Sequence, residues 1–240
     1  MLNVIKKAGL SLAAAGTVAL FAFSASAAPV IYNDSIADGT AAFDNAVTGV
    51  GGVVQTDTLS NLSNGNTWNR GDYTISSTNG TNRPIDNNYN GNLTGNSIGI
   101  NPTNNAAGSG LTFTFNTAIN AFGLEVGDWA TCCFPSALYI AFDGGATRQV
   151  AVANNANDNP GFAKDGVFTN FVAGIDTSAT FTTVTFYGDG VGEYLVAGSV
   201  IRYATLDIGS IPDVPEPFAA GLVLFGLAGM GLYRRRRQAA

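Results

Sequence analysis

The sequence predicts an all-β protein: an antiparallel β-sandwich of jelly-roll type, flanked by an N-terminal signal helix and a C-terminal transmembrane helix. Three observations predict it. Apolar and polar residues alternate with period two through several short segments. Thirty glycines and many asparagines punctuate the chain with turn chemistry. Only 12% of the residues are charged while 46% are apolar, which suits a turn-rich extracellular β protein and not a solvated helical one.

The strands are justified in order. Residues 55–105 are rich in Asn, Gly, Ser and Thr, which cap turns and tolerate left-handed backbone, so a long loop region with short strands is expected there. Leu111, Phe113 and Phe115 alternate with Thr112 and Thr114. Phe122, Leu124 and Val126 alternate with Gly123 and Glu125, and Leu138, Ile140 and Phe142 with Tyr139 and Ala141. Each reads as a half-buried strand with one apolar face. Asp143-Gly144-Gly145 carries hairpin chemistry into a strand over 148–152. Segments 168–172, 181–187 and 200–208 add three more. Inward Phe and Leu rows from two sheets would build the core, each fully buried large side chain contributing about 1.5–3 kcal/mol. No fixed period marks a solenoid. About 190 residues remain between the terminal segments, enough for one domain, assigned to 28–210.

The two ends have their own logic. Lys6 and Lys7 precede an uncharged apolar run over 8–23, and Ala25-Ser26-Ala27 supplies a small-residue cleavage site, so 1–27 reads as a secretory signal peptide. At the other end, 211–240, three parts follow in order: Val214-Pro215-Glu216-Pro217, an uncharged stretch over 218–233, and the basic block Arg234, Arg235, Arg236 and Arg237. Sixteen helical residues span roughly 24 Å, a little less than a hydrocarbon core of about 30 Å. Tyr233 is placed at the interface, and the arginines hold the cytoplasmic side as a membrane stop. Pro215 and Pro217 keep the preceding chain extended and accessible.

This order of parts resembles the PEP-CTERM sorting tail, over about 24 residues. The resemblance implies export across the inner membrane, transient membrane insertion, recognition by an exosortase-type membrane protease and cleavage near Pro-Glu-Pro. It also implies a didermal bacterium that makes extracellular polysaccharide, and a final place at the cell surface or outside the cell. The tail is also labelled an ice-binding protein C-terminal domain, a label that says nothing of the body. Residues 121–129 are similar to a strand and turn of sandwich domains that carry such a tail, which bears on fold and not on chemistry.

Charge and composition exclude several functions. The formal net charge is −6, but six of the eleven basic residues lie in the terminal segments. Residues 28–216 hold the other five against all seventeen acidic residues, a net of −12. Such a body repels phosphate backbones, so no nucleic-acid partner is expected. The chain has no histidine, which removes Ser-His-Asp and Cys-His catalysis and His-ligated metals.

The remaining candidates are few. Cys132 and Cys133 are adjacent in a chain expected to be exported, where thiols oxidise. A vicinal disulfide, two reduced thiols and intermolecular cross-links all fit the sequence. A closed vicinal ring beside Trp129 and Pro135 would offer a platform to a sugar, with Glu125 and Asp128 as neighbouring glycan contacts. Other aromatic residues, Trp68, Tyr73, Tyr89, Tyr139 and Tyr194, are expected in loops or on polar strand faces, where they either stack on sugars or cap the sandwich. Calcium is the metal that the acidic clusters admit. Yet Asn155, Asn157 and Asn159 begin a loop in which Pro160 stands where Gly is needed, and Asp128, Asp143, Asp158, Asp165 and Asp189 are also ordinary turn residues. No cofactor is assigned. Glu125 and Glu193 are the only Glu of the body before the sorting motif, and nothing in the sequence brings them together as a glycosidase needs, so no catalytic residue is named. Ice adhesion would need a flat threonine face such as Thr112, Thr114, Thr183 and Thr185, residues that are also simply good strand formers. The reading is an exported, non-enzymatic surface or matrix protein associated with exopolysaccharide. The alternatives are a glycan-active hydrolase or a calcium-dependent carbohydrate-binding module.

Overall fold

The computed structural model describes residues 29–101, 107–190 and 192–211. The expected signal peptide and the three parts of the sorting tail lie outside the described residues. The chain runs β1 (Val30–Asp34), α1 (Ile36–Gly49), β2 (Gln55–Thr58), β3 (Thr67–Asn69), β4 (Tyr73–Ser77), β5 (Ile85–Asn87) and β6 (Asn96–Ile100). It continues β7 (Gly110–Ile119), β8 (Ala121–Gly127), β9 (Ser136–Phe142), β10 (Arg148–Ala153), α2 (Pro160–Asp165), β11 (Thr169–Ile175), β12 (Phe181–Asp189) and β13 (Leu195–Ala204).

The strands form two antiparallel sheets. One has seven strands in the order β1-β11-β8-β13-β6-β5, with β2 also paired to β13; the other has six in the order β10-β9-β12-β7-β4-β3. Period-two patterning sets which face turns inward. Phe122, Leu124 and Val126 of β8 pack toward Leu111, Phe113 and Phe115 of β7, all buried. The rings of Phe113 and Phe122 meet at 4.9 Å across the two sheets. The antiparallel two-sheet sandwich that the alternation predicts is therefore present, and 55–101 holds short strands between long loops as expected.

Several strand ends differ from the sequence expectation, and one helix was not expected. The strand expected over 168–172 runs on to Ile175 because Phe171, Ala173 and Ile175 find an apolar partner on the outer face. That partner is α1, which the strand pattern did not anticipate. Ser35 caps it by accepting from the Asp38 amide, and Phe43 and Val47 project one turn apart onto the first sheet. Gly39 lets the helix approach, since an added Cβ would stand 3.0 Å from the Phe171 Cβ. The last strand begins at Leu195 and not at Val200, because a bulge at Gly198 (φ 121°) and Ser199 (φ 53°) breaks its apolar alternation.

Candidate functional site

The loop after β8 is held from below. Asp128, Ala130 and Cys133 all have positive φ, at 65°, 65° and 63°, so its course is set by fixed turns and not by extended backbone. Glu193 anchors it. One carboxylate oxygen accepts the Thr131 amide at 2.9 Å, the other accepts the Ser136 hydroxyl, and the amides of Ala130 and Cys132 bond the same carboxylate. Burial raises the Glu193 carboxyl above the ordinary range, against the pull of these donors. Glu193 is thus a structural anchor. Cys132 and Cys133 are joined as a vicinal disulfide on the exposed crest of the loop.

The expected glycan contacts are corrected here. Trp129 is fully buried in the sandwich core, so it offers no platform to a sugar. Trp68 and Tyr73 also face the core, whereas Tyr89, Tyr139 and Tyr194 are half-buried. Asp128 is half-buried and takes the hydrogen bond of Tyr89. Glu125 is only 7% exposed, on the outer face of β8 opposite Gly198 and Phe171. One of its carboxylate oxygens has no hydrogen-bond partner. Burial pushes its carboxyl up to about 7, and the Arg202 guanidinium offsets this only in part. Glu125 is therefore buried on the sheet and is not an exposed glycan contact.

The asparagine run has a local explanation. Asn155 and Asp158 form a reciprocal capping box around a short 3-10 turn. Asn159 caps α2, with Pro160 at its first position, and its side-chain amide donates to the Trp129 carbonyl at 2.8 Å. Asp143 accepts the amides of Thr182 and Thr183, each at 2.8 Å. Among the described residues, no three Cys, Asp or Glu side chains are grouped closely enough to hold a metal ion.

Among the described residues, a cleft between the ends of β2, β7 and β13 and the turn before β4 has room for a ligand. Its volume is about 500 Å³. Phe115 and Tyr203 form an aromatic wall with ring centroids 5.1 Å apart. Gln55 and Thr117 line it with an amide and a hydroxyl, Asn116 and Thr205 line it while donating to the Gly71 and Ala118 carbonyls at 2.6 and 3.0 Å, and Val53 is 69% exposed. Asp72 is the single carboxylate of the lining, and it accepts the Tyr203 hydroxyl at 2.7 Å. Behind this wall, Arg70 bonds both oxygens of Asp57, at 2.9 and 2.7 Å, and the Tyr73 hydroxyl donates to Asp57 at 2.7 Å. This fork fixes the Tyr73 ring, 5.8 Å from the Tyr203 ring and edge-on to it. Burial, and then the nearby carboxylates, raise the hydroxyls of both tyrosines above the usual phenol range, so they stay protonated donors.

None of the cleft residues stood out in the sequence. Tyr203 lies in a predicted strand, but Gln55, Asp72 and Asn116 come from three separate segments, and only the pairing of β2 with β13 and of β4 with β7 brings them together.

No family model matches the chain, and no curated protein matches it. Among solved structures, it is similar to a family 29 carbohydrate-binding module (11% identity, TM-score 0.37, 68% of this chain and 99% of that one). A substituted form of CBM29-2, of the same family, gives 11% identity and a TM-score of 0.36 over 68% of this chain and 99% of that one. The catalytic domain of a GH87 α-1,3-glucanase in complex with tetrasaccharides gives 15% identity and a TM-score of 0.33, over 64% of this chain and 31% of that one.

Proposed function

We propose that the protein is an exported, non-enzymatic surface or matrix protein that is sorted by an exosortase-type protease and binds extracellular polysaccharide through the cleft between its sheets. The sorting part is supported by the ordered tail: the motif Val214-Pro215-Glu216-Pro217, the uncharged stretch 218–233 and the arginine block 234–237. The chain is inserted transiently in the inner membrane, is cut near the motif and is then released to the surface.

The observation that carries the body's role is the chemistry of the cleft. It has an aromatic wall with a rim of uncharged amides and hydroxyls, the mix that grips a sugar by its apolar face and by directed hydrogen bonds. Glycoside hydrolysis generally needs two carboxylates flanking the bond. Asp72 is the only one lining the cleft, and it is already bonded to Tyr203, which favours binding over turnover.

Intact-mass measurement in the native host tests the sorting: the expected mature form lacks 218–240, and an arginine block still attached on the surface-exposed protein overturns it. Affinity electrophoresis in gels containing soluble neutral polysaccharide tests the body: the expected result is retardation of the full chain, and free migration in every such gel overturns sugar binding.

A further inference from the structure

We propose that the outer face of the six-stranded sheet is a second docking surface, one that takes an uncharged polysaccharide chain. This rests on the reading of the body as polysaccharide-binding and adds both a contact surface and the charge class of the ligand.

The face is built by register. Thr67 opposes Ser76, Ser76 opposes Thr112, and Thr112 opposes Thr185, which makes one row across four strands. Asn69, Thr74, Thr114 and Thr183 make a second row by the same pairings. With strands about 4.8 Å apart, each row runs about 14 Å, and the rows lie about 6.7 Å apart along the strands. All eight side chains are half-buried or exposed, so no described element covers them fully.

Their chemistry is uniform. Every side chain in both rows is an uncharged hydroxyl or amide. Thr112 and Thr185 share a hydrogen bond at 3.2 Å, and Thr183 donates to Asp143 at 3.3 Å. Among the described residues, the hydroxyls of Thr67, Thr74, Ser76 and Thr114 are bonded to no other group, so they are free to donate and accept outward. On the next strand register Tyr187 stacks on Tyr139, with centroids 4.9 Å apart and an interplanar angle of 16°.

Charge selects the partner. Arg70, Lys164 and Arg202 are each committed to aspartates of the fold. Arg83 is 6% exposed and bonds Asn79. Of the five basic residues in 28–216, that leaves Arg148 with no ion pair among the described residues, against seventeen acids. A polymer bearing carboxylates or sulfates would meet net repulsion and no cationic clamp. Sheet twist selects between ordered partners. Neighbouring strands rotate by about 20–25°, so four strands do not offer one rigid plane. A saccharide chain with rotatable linkages follows that twist, and the plane of an ice crystal does not.

The test is co-sedimentation of the purified full chain with insoluble neutral glucan, mannan and chitin, and with cross-linked alginate as the anionic probe. The expected result is retention on at least one neutral polymer and none on alginate. Thr114→Lys on the face is expected to weaken retention at least tenfold, while Asn45→Lys, exposed on α1, leaves it intact, with thermal melts confirming folding. Thr74→Lys serves if the first variant does not fold. Retention that is lost in Asp72→Asn but insensitive to both face variants overturns this surface and leaves the cleft standing. Retention on alginate equal to that on neutral polymers overturns the charge class. Ice-recrystallisation inhibition that Thr114→Lys abolishes, with no sugar bound, overturns the proposal in favour of ordered water. No retention on any polymer overturns this proposal, and free migration in the soluble-polysaccharide gels overturns the reading beneath it.

Discussion

Tyr203 donates its hydroxyl to Asp72 at 2.7 Å, and this bond ties the last strand of one sheet to the turn before β4 of the other at the mouth of the cleft. The pair holds the aromatic wall upright and leaves Asp72 with acceptor capacity toward a ligand.

Tyr203→Phe removes that bond and keeps the ring. Sugar retention by the cleft is expected to fall about tenfold, while stability changes by about 1 kcal/mol, the usual net worth of one hydrogen bond. Affinity electrophoresis beside a chemical-denaturation curve checks both. A Tyr203→Phe protein that binds as tightly as the parent removes Asp72 and Tyr203 from the site.

Glu125 makes stability depend on pH. Its folded carboxyl sits at about 7 against an ordinary value of 4.5. The folded state therefore holds the proton more tightly than the unfolded chain between these values. The contribution is fully present below about pH 4.5, is lost as pH rises, and is gone above about pH 7. The swing is at most ~3 kcal/mol. Glu125→Gln is expected to be more stable than the parent at pH 8 and indistinguishable at pH 4. Denaturant melts at pH 4, 6 and 8 measure it. Some slope should persist in the variant, because the Glu193 carboxyl is shifted in the same direction.

Trp129→Ala should cost about 3–5 kcal/mol, the cost of a large buried cavity. Its effect on sugar binding should track the loss of folded protein and no more. A variant with parental stability and abolished binding would return Trp129 to the ligand site.

Alkylation under denaturing conditions should label no cysteine of the exported protein without reductant and both Cys132 and Cys133 after reduction. Two labelled residues before reduction would show that the pair stays open.

The sandwich was legible because strand period and apolar side chains agree: Leu111, Phe113 and Phe115 point inward as their alternation requires. Helix α1 left a readable trace that strand patterning masked. Ser35 followed by Asp38 is a capping signal, and Gly39, Phe43 and Val47 recur every four residues. The candidate site was not legible. An aromatic flanked by carboxylates, as Trp129 is by Glu125 and Asp128, has the same local sequence whether it faces water or the core, and only the turn at Asp128 sends the indole inward. The cleft and the threonine rows depend on pairings between distant segments, Gln55 with Tyr203 and Thr112 with Thr185, which no local pattern encodes.

The last described residue, Ile211, packs with the helix-covered side of the first sheet, and its carbonyl takes the Thr177 hydroxyl. The described chain therefore ends on the side of the sandwich away from the threonine rows. On the proposed sorting, a tether that continues from this side would let the hydroxyl-studded front meet a polymer before the cut as well as after it.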